Sequence, residues 1–219
     1  QAAPTYDAAA GVQREVSSRL DAYLAQTCGD LNPNAILDAG CGTGYSARWL
    51  AHRWPKAEQV LLDFAPAMLT IACIQHPGAR TVCADLEALP FASGSFGGYW
   101  SSLAWQWNHP QHCLAEAVRV LQPGGWLAVA TLGADNFPEL RQVFADLDDY
   151  SHVLAIPSPE SLQAACRTRG WNVRVWERQP VRRHYPDVRT LLRSVKAVGA
   201  REVEQRRPTP LSRSAWQAI

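Results

Sequence analysis

Three acids and three alternating glycines are the residues here with chemistry in them. Asp38, Gly40, Gly42 and Gly44 occupy alternate positions in Ala35-Ile36-Leu37-Asp38-Ala39-Gly40-Cys41-Gly42-Thr43-Gly44. Asp63 and Asp85 follow at intervals of about twenty residues. Glycine leaves no Cβ where the turn is tightest, so a ligand can lie against bare backbone. A helix starting near Tyr45 would aim its free N–H groups and partial positive charge at that ligand. Asp38, two residues before Gly40, puts a carboxylate at the strand tip. A carboxylate repels a phosphate and attracts an ammonium or a sulfonium.

Two nucleoside cofactors fit such a turn. Gly42-x-Gly44-x-x-Ala47 satisfies the dinucleotide fingerprint in its Gly/Ala form, but that fingerprint serves a pyrophosphate. S-adenosylmethionine carries an ammonium and a sulfonium and no phosphate. The pattern Asp38-x-Gly40-x-Gly42-x-Gly44 resembles motif I of the S-adenosylmethionine-dependent methyltransferases. A glycine pattern alone is weak, so the downstream acids matter. The two oxygens of Asp63 match the vicinal hydroxyls of a ribose; the competing role is the N-cap of a helix over 66–74. Asp85 could accept from an adenine amino group, with Leu86 giving a backbone N–H and an apolar wall. The competing role for Asp85 is a solvated loop acid.

The elements that must hold these residues can be read from pattern and punctuation. Strands are expected at 35–39, 59–63, 81–84, 98–101 and 126–131, and helices at 6–26, 45–54, 66–74 and 113–121. This alternation predicts an α/β fold with a mostly parallel sheet and helices on both faces. The loop Ser102-Leu103-Ala104-Trp105-Gln106-Trp107 leaves the carboxyl end of a central strand, where open α/β sheets bind ligands. Trp105 and Gln106 there could wall a substrate pocket, or the tryptophans could be core. After Thr131 the rhythm changes to helices over 138–147, 160–169 and 187–198, with a loop at 148–159. A strand pair is expected at 171–176 and 181–185. Tyr6 and Gln13 lie near the front of the first helix, as surface or capping residues or as a fold over the cofactor.

Composition narrows the class. With 219 residues, 47% hydrophobic and 19% charged, the chain is expected to form one domain with a full core. A net charge of +1 gives no bulk attraction to nucleic acid. No apolar run approaches a membrane span. Six scattered cysteines without a CxxC pair suggest a reducing, cytoplasmic compartment. His109-x-x-His112 lacks partner ligands, so no metal site is expected. The chain opens at Gln1 rather than Met, so its natural start is expected to lie upstream. Basic residues gather late: Arg182, Arg183, Arg189, Arg193, Lys196, Arg201, Arg206, Arg207 and Arg213. They form a solvated face or a patch that steers an acidic partner.

The glycine turn with Asp63 and Asp85 resembles the Rossmann-like class I methyltransferase core over about residues 35–131. Beyond the core, several stretches resemble the malonyl-acyl-carrier-protein O-methyltransferases of biotin synthesis. They are Tyr6-Asp7 with Gln13, Asp85-Leu86-Glu87-Ala88-Leu89-Pro90, Ser101 to Trp107, Thr131-Leu132, Pro138-Glu139-Leu140-Arg141, Tyr150-Ser151-His152-Val153, and Leu192-Arg193-Ser194-Val195-Lys196-Ala197-Val198-Gly199-Ala200. The resemblance implies three parts: an N-terminal helix cap (1–34), a cofactor core (35–131) and a helical substrate and carrier-protein region (132–219). It implies cofactor contacts from Tyr6, Gln13, Asp38, Gly40, Cys41, Gly42, Gly44, Asp63, Phe64, Met68, Asp85, Leu86 and Leu103. It also implies a malonyl-loaded acyl carrier protein as partner, a carboxylate as methyl acceptor, and an arginine, Arg193 or Arg141, to hold that carboxylate. The carrier's acidity would give the late basic cluster a purpose.

The chain departs from the family pattern at three places. Gly97 stands where an Asp is usual and Ser102 where an Asn is usual. The pattern also continues with an apolar strand antiparallel to strand five, so the strand near Trp171 is expected to lack its neighbour. Three other readings stay open: a class I methyltransferase of a small quinone or phenol, a non-catalytic S-adenosylmethionine binder, and a nicotinamide-binding protein.

Overall fold

The computed structural model describes residues 3–28, 30–145, 153, 154, 156 and 158–198. The expectations placed on 148–152, 199–200 and 201–213 lie outside the described residues. Five strands form one parallel sheet in the order β3-β2-β1-β4-β5. They are β1 (Ala35–Ala39), β2 (Glu58–Asp63), β3 (Arg80–Cys83), β4 (Phe96–Ser102) and β5 (Leu121–Ala130). The order reverses between β1 and β4, so their carboxyl ends diverge and leave a crevice.

Side chains on β1 alternate between two cores, because successive residues of a strand face opposite ways. Leu37 and Ala39 point to α5 (Pro110–Val120) and α7 (Pro159–Thr168). Ile36 packs with Leu24 of α2 (Gly11–Cys28) and with Leu50 and Trp54 around α3 (Ala47–Arg53). Leu61 of β2 meets Leu69 and Ala72 of α4 (Pro66–Gln75). Residues buried on both faces explain why β1 reads as an unbroken apolar run apart from Asp38.

Three sequence expectations need correction. The single helix over 6–26 is two, α1 (Ala3–Ala9) and α2, with the break beside Gly11, whose backbone entropy weakens a helix. The break lets α1 turn away and lie against α4 and α8 (Val188–Ala197). Strand five begins at Leu121, ahead of the expected 126: Phe96 pairs with Leu121, and after a bulge Gly98 pairs with Trp126. Finally, 171–176 and 181–185 form no ladder. They run as extended chain along α2, held by side chains: Arg174 donates to the Thr27 carbonyl, Tyr23 to Glu177, and Arg183 pairs with Glu15. Strand geometry requires a neighbour to receive its N–H and C=O groups. Among the described residues β5 pairs only with β4.

Gly98 is where β4 admits a large ring. A Cβ built there would lie 2.3 Å from the Trp126 ring, and that ring is stacked on Trp54 at 5.1 Å, so it has nowhere to retreat. Gly98→Ala is expected to lower stability by about 1–3 kcal/mol through overpacking, read as a drop in the denaturant midpoint, whereas Gly94→Ala, with open space around it, is expected to cost only the strain of its positive φ.

Candidate functional site

The carboxyl ends of β1 and β2 bring the glycine turn and two of the three acids together. Gly40, Gly42 and Gly44 have φ of 80°, 55° and 86°, a region costly for residues with a Cβ. At Gly40 space is lacking as well: a Cβ would lie 2.2 Å from the Ala104 Cβ. The Leu62 carbonyl accepts from the N–H groups of Gly40 and Cys41. Asp63 completes the clamp: one oxygen accepts from the Gly42 N–H at 2.9 Å and the other from the Ala65 N–H at 2.8 Å. Asp63 is therefore not the N-cap of α4; that position is Ala65. Each Asp63 oxygen keeps a lone pair for a further donor.

Asp38 is the unusual group. It is 2% exposed, and its Oδ2 is buried without a hydrogen-bond partner. Burial, reinforced by the negative charge of Asp63, pushes its carboxyl up to about 8. It lines a cavity of about 40 Å³ together with Tyr6, Gln13, Gly42, Tyr45 and Ser102. The Gln13 Oε1 is also buried and unpartnered. Arg14 also lines the cavity but gives its guanidinium to the Asp7 carbonyl, so the unpartnered atoms are acceptors, which a cation with several N–H donors fits better than a phosphate. The residues present thus suit an aminoalkyl sulfonium and not a pyrophosphate.

The N-terminal helices close this cavity from above. Tyr6 reaches over the turn, its ring 3.9 Å from where a Gly42 Cβ would be. Burial and the charges of Asp63 and Asp7 push its phenol up to about 12, so it stays neutral. Thr43 donates to Asp7 at 2.7 Å and Ser17 to Ser102 at 2.9 Å. Sequence reasoning missed Asp7, Thr43 and Ser17, since bonds spanning 36 and 85 residues leave no local signature. The two departures from the family pattern have physical partners here. Ser102 takes the Ser17 hydroxyl, and Gly97 lies against Pro33, where a Cβ would come within 2.8 Å.

The remaining expected residues are spread outward. Cys41 is buried, and burial raises its thiol well above the ordinary range, so it stays protonated. Leu86 is buried beside Gly40, Met68 is half-buried, and Phe64 is 77% exposed. Asp85 is exposed and accepts from the Glu87 N–H at 2.9 Å. Leu103 holds a left-handed φ of 54°, anchored by its N–H on the Ala130 carbonyl at 2.8 Å. A leucine held in this region stores backbone strain.

Trp105 is 1% exposed, packs edge-on to Tyr99 and donates to its hydroxyl. Gln106 donates to the Leu103 carbonyl and accepts from Thr131. Both face a broad groove of about 3400 Å³ along β5, closed on its far side by α8 and the 171–185 segment. Neither expected arginine lines it. Arg141, on α6 (Pro138–Ala145), donates to the Asn136 and Leu154 carbonyls. Arg193 is exposed on α8, with one N–H on Thr190.

A parallel sheet, a glycine turn at its switch point and acids at successive strand ends define a class I methyltransferase. Residues 37–129 match the family model described as Methyltransferase domain. The chain is 45% identical over 218 residues to a malonyl-[acyl-carrier protein] O-methyltransferase of Dechloromonas aromatica, covering 99% of this chain and 80% of that protein. It therefore belongs to the malonyl-[acyl-carrier protein] O-methyltransferase family. It is also 38% identical over 206 residues to the biotin biosynthesis bifunctional protein BioHC of Cellvibrio japonicus, covering 93% of this chain and 40% of that protein. The fold is shared with geranyl diphosphate C-methyltransferase from Streptomyces coelicolor, at 18% identity and a TM-score of 0.56, covering 69% and 59% of the two chains.

The buried Asp38 predicts a pH dependence whose sign follows from its raised carboxyl. The folded protein holds this proton more tightly than the unfolded chain does. Stability of the ligand-free protein therefore falls as pH climbs from the ordinary carboxylate range to about 8. A cationic ligand favours the ionised form, so its affinity rises through the same climb for as long as its ammonium stays protonated. Calorimetric titration with S-adenosylmethionine is expected to show this rise. Asp38→Asn is expected to abolish it and to weaken binding by roughly tenfold to a hundredfold.

Proposed function

We propose that this chain is an S-adenosylmethionine-dependent carboxyl O-methyltransferase. Its acceptor is the free carboxylate of a malonyl group carried as a thioester on acyl carrier protein, in biotin synthesis. The observation that carries the donor assignment is the buried, unpartnered Asp38 carboxylate at the end of β1. The acceptor assignment rests on membership of the family, over almost the whole chain.

The donor supplies an electrophilic methyl group on a sulfonium. Asp38 and Gln13 receive its ammonium, Asp63 its ribose hydroxyls, and Asp85 with Leu86 its adenine. Gly40, Gly42 and Gly44 let it lie on backbone; Tyr6, Cys41, Phe64, Met68 and Leu103 line its course. A malonyl carboxylate is ionised at neutral pH, so no general base is required. A carboxylate oxygen bonds to the methyl carbon as the carbon–sulfur bond breaks, and the electron pair stays on sulfur. The products are a methyl ester and a neutral thioether. The protein's part is alignment and exclusion of water, with Trp105 and Gln106 setting the acceptor-side wall.

The groove along β5 is wide enough for a carrier-borne arm, and described residues between Leu132 and Val198 line its far side. Arg182 and Lys196 line it, and with Arg189 and Arg193 on α8 they are exposed and suit an acidic carrier. Arg193 has most of its guanidinium free to grip a carboxylate in two places. Arg141 has two of its nitrogens occupied by backbone carbonyls, which favours Arg193. Among the described residues no helix is long and apolar enough to cross a membrane; the cytoplasmic location we propose rests on the biosynthetic role of the family.

Incubation with malonyl carrier protein and S-adenosylmethionine is expected to add one methyl to the carrier by mass spectrometry, while a phenolic acceptor stays unchanged. Methylation of the phenol alone would overturn the acceptor assignment. Arg193→Ala is expected to raise KM for malonyl carrier protein by roughly tenfold or more, as loss of a charge-assisted bond does, and to leave the KM for the donor unmoved. Unchanged turnover would remove Arg193 from the site.

A further inference from the structure

We infer that His76 is a positioning residue for the methyl donor, holding the third glycine of the turn from behind. This rests on the donor reading above and goes beyond the contacts that resemblance implies. His76 ends α4, where the following Pro77 stops the helix, and its own N–H is used on the Ala72 carbonyl. The imidazole then leans on the glycine turn. Its Nε2 lies 2.8 Å from the Gly44 carbonyl oxygen. A carbonyl oxygen only accepts, so Nε2 carries the proton and donates.

The fit leaves no slack. A Cβ on Gly44 would lie 2.7 Å from the His76 Cδ2, 3.0 Å from Nε2 and 3.4 Å from the Ala72 Cβ. Gly44 is thus bare on the side that faces α4, so that the ring can reach the carbonyl. That carbonyl fixes the peptide plane joining Gly44 to Tyr45, and Tyr45 and Ser46 both line the small cavity beside Asp38. His76 itself does not line it. The β2–α4 unit therefore grips the turn at two points: Asp63, before the helix, holds the Gly42 N–H, and His76, at its end, holds the Gly44 carbonyl. The Gly44 carbonyl also accepts the Ala47 N–H that opens α3, so the same grip sets the direction of the helix end facing the donor.

Four versions of the chain test this: wild type, His76→Phe, His76→Gln and His76→Ala. Phe keeps the ring against Gly44 and loses the donor; Gln keeps a donor at a similar reach. Calorimetry with S-adenosylhomocysteine reads affinity without any acceptor, and steady-state assays separate donor KM from kcat. His76→Phe and His76→Ala are expected to weaken S-adenosylhomocysteine binding and raise donor KM by roughly three- to tenfold, the worth of one hydrogen bond. The acceptor KM stays within about twofold, and His76→Gln recovers most of the loss. A purely structural histidine would lower the melting temperature in all three variants and leave affinity in the folded fraction unmoved; that result overturns the proposal. So does a His76→Phe protein that binds like wild type, or a Gln variant no better than Ala. Wild-type protein that binds no S-adenosylhomocysteine would overturn the donor reading itself, and this inference with it.

Discussion

The structure is organised around a carboxylate kept out of water with one oxygen unanswered. An isolated buried charge is expensive, and the ordinary outcome is neutralisation by a proton. Asp38 follows that rule in the ligand-free protein, with its carboxyl raised to about 8. Nothing in packing requires an acid there: every other residue of β1 is a small or branched hydrophobe. Asp63 makes the burden heavier, since its charge adds to the rise. Asp63 has donors of its own in the Gly42 and Ala65 N–H groups, whereas the Asp38 oxygen is left for an incoming positive group. The local instability is the binding energy, held in reserve until the cation arrives.

Keeping that reserve demands a rigid surround. The turn takes its shape from backbone bonds to Leu62, from Asp63 beneath Gly42 and from the imidazole behind Gly44. Gly40 is pressed against Ala104, which ties the turn to the loop after β4. That loop is itself strained at Leu103 and braced by Gln106 and Ala130. The donor side and the acceptor side therefore share walls, and a shift in one would be felt in the other because close-packed interiors transmit displacement.

The donor half was legible in the sequence and the acceptor half much less so. Asp38, the glycines, Asp63 and Asp85 sit at strand ends, and strand ends follow from apolar runs and turn residues a few positions away. The parallel sheet with helices on its faces also followed, since alternating strands and helices allow few arrangements; the strand order did not. What failed was long-range or dependent on a neighbour. The 171–185 segment has the alternation of a strand, with Trp171, Val173, Val175 and Val181 in its apolar places, yet a strand exists only when another receives its hydrogen bonds. The α1–α2 break needed only Gly11, but a single glycine inside a helical stripe is usually tolerated. Thr43 with Asp7 and Ser17 with Ser102 join elements far apart in the chain. The resemblance supplied Tyr6 and Gln13, and the geometry supplies the reason: one covers Gly42 and the other turns an unpartnered oxygen toward Asp38's cavity.

The cavity beside Asp38 and the groove along β5 meet at the N-terminal helices. α1 touches α4, which holds the glycine turn, and α8, which carries Arg193 and Lys196. At about 40 Å³ the cavity is the size of one or two waters, far smaller than an aminoalkyl sulfonium. On the proposed reading donor seating is coupled to α1, since Tyr6 and Asp7 line this cavity and Thr43 donates to Asp7. Any displacement of α1 changes its contact with α8 as well. On the proposed reading, a carrier docked on α8 and a donor seated under Tyr6 compete for, or cooperate through, the position of one seven-residue helix.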